Sequence, residues 1–180
     1  IAFIVLFQPE LRKMLLIITR SPIFKLFVKP RISQYLDEII EAVIELSEKH
    51  VGALIVFSKA QNVQMTVDTG IPIQAIVSKE LIISIFNVKS PLHDGAIIID
   101  NNMIIAARCV LPLSSVTKYG NKNLGTRHRA ALGLSEQSDA IILIVSEETG
   151  GISIAQAGEL ILNISEKELS SILMYRLLDE

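Results

Sequence analysis

Apolar residues return along this chain in two rhythms. Leu36, Ile39, Ile40, Val43 and Leu46 recur every three to four positions, which predicts a helix capped by Ser33 and reaching about His50. Leu81, Ile82, Ile85 and Phe86 repeat that pattern behind Ser78, and Leu169, Ile172, Leu173 and Leu177 repeat it behind Ser165, where Glu168 completes a capping box. The second rhythm is the short continuous apolar run. Gly52 to Phe57, Ala96 to Ile99, Met103 to Leu113, Ala140 to Val145 and Ile152 to Ala155 are β-branched and bounded by turn residues, so they read as buried strands. Ile73 to Val77 predicts a further short strand.

Asp100-Asn101-Asn102 and Glu147 to Gly151 are turn segments, each between two strands, so at least two connections are hairpins. Helices and hairpins together predict an α/β fold, a mixed central sheet flanked by helices on both faces. Residues 58–72 and 114–124 are polar and expected to be irregular. A helix is expected from Thr126, as N-cap, to about Leu134.

The first 32 residues differ. Ile1 to Phe7 is wholly apolar and far shorter than the ~20 residues that span a bilayer. Phe7 to Thr19 reads as a helix, and the prolines at 22 and 30 predict a linker over 20–32. Arg12, Lys13, Arg20, Lys25, Lys29 and Arg31 stand against Glu10 alone, the asymmetry of a cytoplasmic juxtamembrane segment. The expectation is the end of a transmembrane helix and its linker over 1–32 and a catalytic domain over 33–180, in the cell membrane with the domain facing the cytoplasm. An amphipathic helix packed on the domain is the competing reading.

Half the residues are hydrophobic and a fifth charged, which excludes disorder, and the net charge of −2 gives no general attraction to nucleic acid. The single cysteine, Cys109, excludes an internal disulfide and a cysteine metal cluster. There is no P-loop lysine motif and no GxGxxG run. Anion binding, where it occurs, has to be local.

One run offers it. Gly125-Thr126-Arg127-His128-Arg129 puts three basic side chains in a first helical turn, against the dipole, beside amides that lack intrahelical acceptors. That is the chemistry of a phosphate cradle, the alternative being a solvated basic face. His93-Asp94-Gly95-Ala96 is the second run: an acid at a strand mouth that can hold a divalent cation or accept a proton from a hydroxyl, although Asp-Gly is also a common turn pair. Ser146-Glu147-Glu148 ends a third strand with paired carboxylates, which equally suit an acidic turn. A cationic cradle and an acid together suggest phosphoryl or nucleotidyl transfer.

Asp94-Gly95-Ala96 and Arg127-His128-Arg129 resemble the two signature motifs of the diadenylate cyclase domain, and Gly52 to Ile55 and Ser146 to Gly150 resemble the same family, over about residues 33–165. The basic segment resembles that of the membrane-tethered bacterial class, in which transmembrane helices precede the domain. The resemblance implies that two ATP become cyclic di-AMP and two pyrophosphates between two facing copies of the domain, with Mg²⁺ or Mn²⁺ as cofactor. It implies catalytic roles for Asp94, Arg127, His128 and Arg129 and metal contacts at Asp94, His93 and Glu148. It further implies substrate contacts at Gly95, Ala96, Gly125, Thr126, Ser146 and Glu147, and packing of Leu111 against adenine. Two departures stand out: Val110 where relatives commonly carry tyrosine, and a 118–123 loop one residue longer. A silent nucleotide sensor of the same fold, or an interaction scaffold, are the rival readings.

Overall fold

A computed structural model of the chain describes residues 22–59, 63–120 and 122–178. The chain divides into two units, Ile1–Gln34 and Tyr35–Glu180. The predicted helix over 7–19 and the apolar run over 1–7 lie outside the described residues. The predicted linker over 20–32 is helical from Pro22 onward, because helix α1 runs Pro22–Glu48. Proline at a first helical position starts a helix as readily as a polar cap does, and Pro30 costs the ladder one hydrogen bond without ending it. Ser33 therefore sits inside the helix and does not cap it. No helix among the described residues is long and apolar enough to cross a membrane.

The larger unit is built on strand β1 (Ala53–Phe57), whose five residues are all buried. On one side β1 pairs in parallel with β3 (Ala96–Asp100), and on the other antiparallel with β7 (Ile141–Val145). Around these lie β2 (Ile71–Ile76), β4 (Met103–Cys109), β8 (Ile152–Gln156) and β9 (Glu159–Ile161), in the order β2-β4-β3-β1-β7-β8-β9. All pairings but β1–β3 are antiparallel, so the sheet is mixed, as expected. A separate small ribbon, β5 (Lys118–Tyr119) with β6 (Lys122–Asn123), rises within the segment expected to be irregular.

Strand alternation sends Leu54, Val56, Ile98, Ile142 and Ile144 to one face, where they share a core with Ala130, Ala131, Leu132 and Leu134 of helix α4 (Thr126–Ser135). Ile55, Ile97, Ile99 and Leu143 point to the other face and are equally buried. The second layer of helices is also apolar inside. Leu36, Ile39, Val43 and Leu46 of α1, Ile82, Ile85 and Phe86 of α3 (Lys79–Phe86), and Leu169 and Leu173 of α5 (Glu166–Leu178) are all buried. Lys79 ties α3 to α1: its amide donates to Glu38 at 2.9 Å and its ammonium lies 3.2 Å from Glu45 and 3.5 Å from Glu41. Ser78 caps α3 by accepting from the Leu81 amide, and the Glu168 carboxylate reaches back to Ser165, as their spacing predicts.

Both expected hairpins form, with Asn101 at φ +53° and Gly150 at φ +69°. Three local features depart from expectation. A one-turn helix, α2 (Gln64–Val67), interrupts the 58–72 segment. A further hairpin joins β8 to β9 through Ala157 and Gly158, at φ +50° and +76°. β4 ends at Cys109, four residues early, because the chain at 112–114 leaves the sheet to press on α4. Gly133 makes that contact possible: a Cβ there would fall inside the Pro112 carbonyl oxygen and within 2.6 Å of the Ser114 nitrogen. Both obstacles are backbone, so neither swings aside. Gly133→Ala is expected to lower stability by about 1–3 kcal/mol, measured by urea unfolding; an unchanged midpoint would show that the 112–114 segment is not held against α4.

Candidate functional site

The pairings of β1 decide where the candidate residues fall. Ile55 stands opposite Ile97 in parallel register, so β1 at Gly52 and β3 behind Asp94-Gly95 open at the same end of the sheet. Neighbouring strands are about 4.8 Å apart. On the other side Ala53 faces Val145, which sets Ser146 beside Gly52, and Val145 faces Ile152, which sets Gly151 beside Ser146. Ala96 faces Cys109, so Val110 borders Gly95. One edge of the sheet thus carries Val110, Asp94-Gly95, Gly52, Ser146 and Gly151. Gly95 has φ +145°, and a Cβ there would meet the Arg108 and Cys109 backbones within 3 Å, so only glycine lets β3 start this close to β4.

Helix α4 brings the basic run to the same edge. Its N-cap is Gly125, not Thr126 as expected, and no side chain caps it. The Gly125 carbonyl accepts from the Arg129 amide at 3.1 Å, which leaves the first-turn amides without intrahelical acceptors. Gly125 and Thr126 are exposed and Arg127, His128 and Arg129 half-buried. The Arg127 guanidinium rests on Gly52, where a Cβ would lie 2.5 Å from its Cζ and Nη1. Its Nη1 donates to Glu147 at 2.5 Å. The two sequence motifs therefore converge through a glycine neither contains.

Beside α4 lies a cavity of about 180 Å³, lined by Leu124, Gly125, His128, Ser146, Glu148 and Asn163 among others. Burial pushes the His128 imidazole below its ordinary value of 6.5, so it is neutral at pH 7. Ser146 donates its amide to the Gly151 carbonyl and its hydroxyl oxygen accepts from the Thr149 amide, and the residue lines the cavity. A more open cleft of about 610 Å³ lies on the other side of the 147–151 turn, among Ser47, His50 and Lys167, and touches none of the expected site residues.

Three expected residues stand differently from expectation. The Arg129 guanidinium is committed to the chain, its Nε and Nη2 both donating to the Ser114 carbonyl at 3.2 and 3.1 Å. Leu111 is buried among core side chains, so the exposed apolar surface beside it belongs to Val110 and Leu113, 67% and 54% exposed. Glu148 lines the cavity but does not complete a cluster with His93 and Asp94: no group of three or more His, Cys, Asp or Glu side chains gathers among the described residues. His93 Nδ1 lies 2.7 Å from the Ser90 carbonyl, which can only accept. Nδ1 is thus the donor in this contact, and Nε2 is left to meet a ligand.

Two residues at this edge had no role in the sequence reading. Gly52 looked like the start of a strand, since nothing in its neighbours announces that a side chain from residue 127 will lie on it. Arg108 is exposed and held at φ +57° where β4 bulges between its Ala96–Cys109 and Ile98–Ala106 pairings, directly against Gly95.

Known proteins are similar to this chain in sequence and fold. The family profile described as DisA bacterial checkpoint controller nucleotide-binding (DAC) matches residues 40–160. A diadenylate cyclase of Listeria monocytogenes is 44% identical over 181 residues, covering 98% of this chain and 66% of that protein; the chain thus spans slightly under two thirds of it. The crystal structure of a double mutant of DacA from Staphylococcus aureus matches with a TM-score of 0.77 and 43% identity, covering 81% of this chain and 97% of that one. A hypothetical membrane spanning protein from Bacillus cereus matches with a TM-score of 0.68 and 37% identity, covering 90% and 80%. With a matched profile over most of its length and both signature runs meeting at one sheet edge, the chain belongs to the DAC family of diadenylate cyclase domains.

Proposed function

We propose that this chain is a diadenylate cyclase, which joins two ATP molecules into cyclic di-AMP and releases two pyrophosphates. The observation that carries this reading is the meeting of the Arg127 guanidinium, the open amides of α4 and the Asp94 strand mouth along one edge. The phosphates would rest on the first turn of α4, with Arg127, Ser146 and His128 donating to them. Asp94, exposed just before β3, would accept the proton of an attacking 3′-hydroxyl. That oxygen bonds to the α-phosphorus of the second nucleotide, and the bond to pyrophosphate breaks; the same step repeated closes the ring. Arg129 serves by holding the 112–116 segment, and the adenine would lie over Val110 and Leu113.

A divalent cation, Mg²⁺ or Mn²⁺, fits the donors: Asp94 oxygen, His93 Nε2 and oxygens of the substrate, since such ions often take one or two protein ligands and complete their shell with phosphate and water. When bound it would neutralise phosphate charge. The cavity of about 180 Å³ is smaller than the roughly 300–1,000 Å³ of ordinary ligand sites. It suits part of a nucleotide, with the rest spread along the sheet edge and covered by a second copy of the domain. Such pairing supplies orientation that can lower a barrier by ~7–11 kcal/mol. Membrane attachment through residues preceding the domain, with the domain in the cytoplasm, is part of the same proposal, supported by the basic 12–31 segment and the B. cereus neighbour.

Incubation with ATP and Mn²⁺ or Mg²⁺, followed by chromatography, tests the activity. Cyclic di-AMP is expected, with product per enzyme rising as enzyme concentration rises until dimers saturate; ATP binding without product would instead identify a silent sensor. Asp94→Asn is expected to abolish turnover while leaving ATP affinity within about twofold in calorimetry, and a variant that still turns over would remove Asp94 from its role.

His128 adds a pH signature. Its free value lies below 6.5 and bound phosphate charge raises it, so ATP binding takes up protons between the two values and tightens as pH falls through that window. Calorimetry at pH 6.5 in buffers of different ionisation enthalpy is expected to show proton uptake that His128→Gln loses. Equal uptake in both chains would mean that no phosphate approaches His128.

A further inference from the structure

We infer that Gly52 fixes the place of the Arg127 guanidinium, and through it the place where the phosphate chain is received. This rests on reading the site as that of ATP. Gly52 is buried at the mouth of β1, beside Ser146 on one neighbouring strand and at the same end of the sheet as the Asp94-Gly95 approach to the other. A Cβ at residue 52 would lie 2.5 Å from Cζ, 2.5 Å from Nη1 and 2.9 Å from Nε of Arg127, and these are the three nearest atoms. Near-equal distances to three atoms of a planar group mean that the missing side chain would sit on its face. The guanidinium therefore lies over the glycine, in the volume that any other residue would fill.

The backbone does not demand glycine here. Residue 52 is outside the left-handed region, unlike Gly95 and Gly150, so alanine fits its conformation. What glycine supplies is space. Glu147 meets the guanidinium at its edge, taking Nη1 at 2.5 Å, so the group has a backbone floor under one face and a carboxylate at its rim. Glu147 is 64% exposed and can yield to an arriving phosphate; the floor cannot. Gly52 is thus a positioning residue: it touches no substrate atom and acts through the cation above it. A methyl at 52 displaces the far end of a flexible side chain and no backbone, so the fold should tolerate it while the cation loses its place.

Calorimetric ATP binding and thermal unfolding of Gly52→Ala, Arg127→Ala and the double variant test this. Arg127→Ala is expected to weaken ATP binding about 10- to 100-fold, the range of a hydrogen bond to a charged group. Gly52→Ala is expected to weaken it in the same direction without lowering Tm, and the double variant to match Arg127→Ala within about twofold, because the methyl has nothing left to displace. Native affinity in Gly52→Ala, or losses that multiply in the double variant, would overturn the inference while leaving the ATP site in place. Native affinity in Arg127→Ala would instead remove the ATP reading and the inference with it. If Gly52→Ala lowers Tm, the double variant is expected to restore it, since Arg127 supplies the nearest obstacles; a deficit that persists would place the conflict in the backbone and overturn the inference.

Discussion

The site depends on the pairing of β1, parallel to β3 and antiparallel to β7. A parallel neighbour puts two strand beginnings at one edge, and an antiparallel neighbour puts a strand end there as well. That single strand thereby gathers Asp94, Gly52 and Ser146 from positions far apart in the chain. Its five residues are buried on both faces, so its register is held by apolar packing above and below. A slip of one residue would turn Leu54 and Val56 away from α4 and move Gly52 out of line with Ser146. The placement of Gly52 and Ser146 is thus fixed by the hydrophobic burial of β1.

The charges of α4 show how an unfavourable local choice is sustained. A cation in a first helical turn opposes the dipole by about 0.3–1 kcal/mol. Glu147 beside Arg127 returns a similar amount, since exposed pairs contribute about 0–1 kcal/mol. Arg129 finds a carbonyl instead, at Ser114. The absence of a capping side chain leaves the amides open as well. A sequence optimised for helix stability would carry Ser or Asp at 125 and acids at 127 and 129. This one carries glycine, a cap with no side-chain acceptor, at 125 and cations at 127 and 129, as the proposed phosphate site would require.

Much of this was legible in the sequence because it is local. Ser78, Ser165 and Glu168 cap helices through neighbours three residues away, and the runs at 53–57, 96–99 and 141–145 are too short and apolar for anything but buried strands. The basic first turn was legible as a run set against the dipole, and the anion it suggests belongs to the proposed function. What stayed hidden is non-local. The early end of β4 follows from Gly133, a full helix away in the chain, which lets 112–114 lie against α4. The β8–β9 turn uses Ala157-Gly158, where alanine carries a positive φ that its type seldom adopts. Leu111 looked like a wall for a base and is core, because leaving the sheet turns its side chain inward. The role of Gly52 is set by residue 127, and no window along the chain spans both.

The same edge explains why a lone copy of this domain would be half of the proposed catalyst. On that proposal the first turn of α4 would take the phosphates and Asp94 the proton, and the enclosed space beside α4, about 180 Å³, holds less than a nucleotide. In-line attack needs the entering 3′-oxygen and the departing pyrophosphate on opposite sides of the α-phosphorus, so one open edge cannot orient both at once. Two edges face to face can, because each presents its nucleotide's hydroxyl to the other's phosphate, and a two-fold operation makes both transfers equivalent. The two-fold symmetry of the proposed product, cyclic di-AMP, follows from the same geometry. The exposed Val110 borders Gly95 at that edge, and on the proposed pairing a second copy would cover such apolar surface.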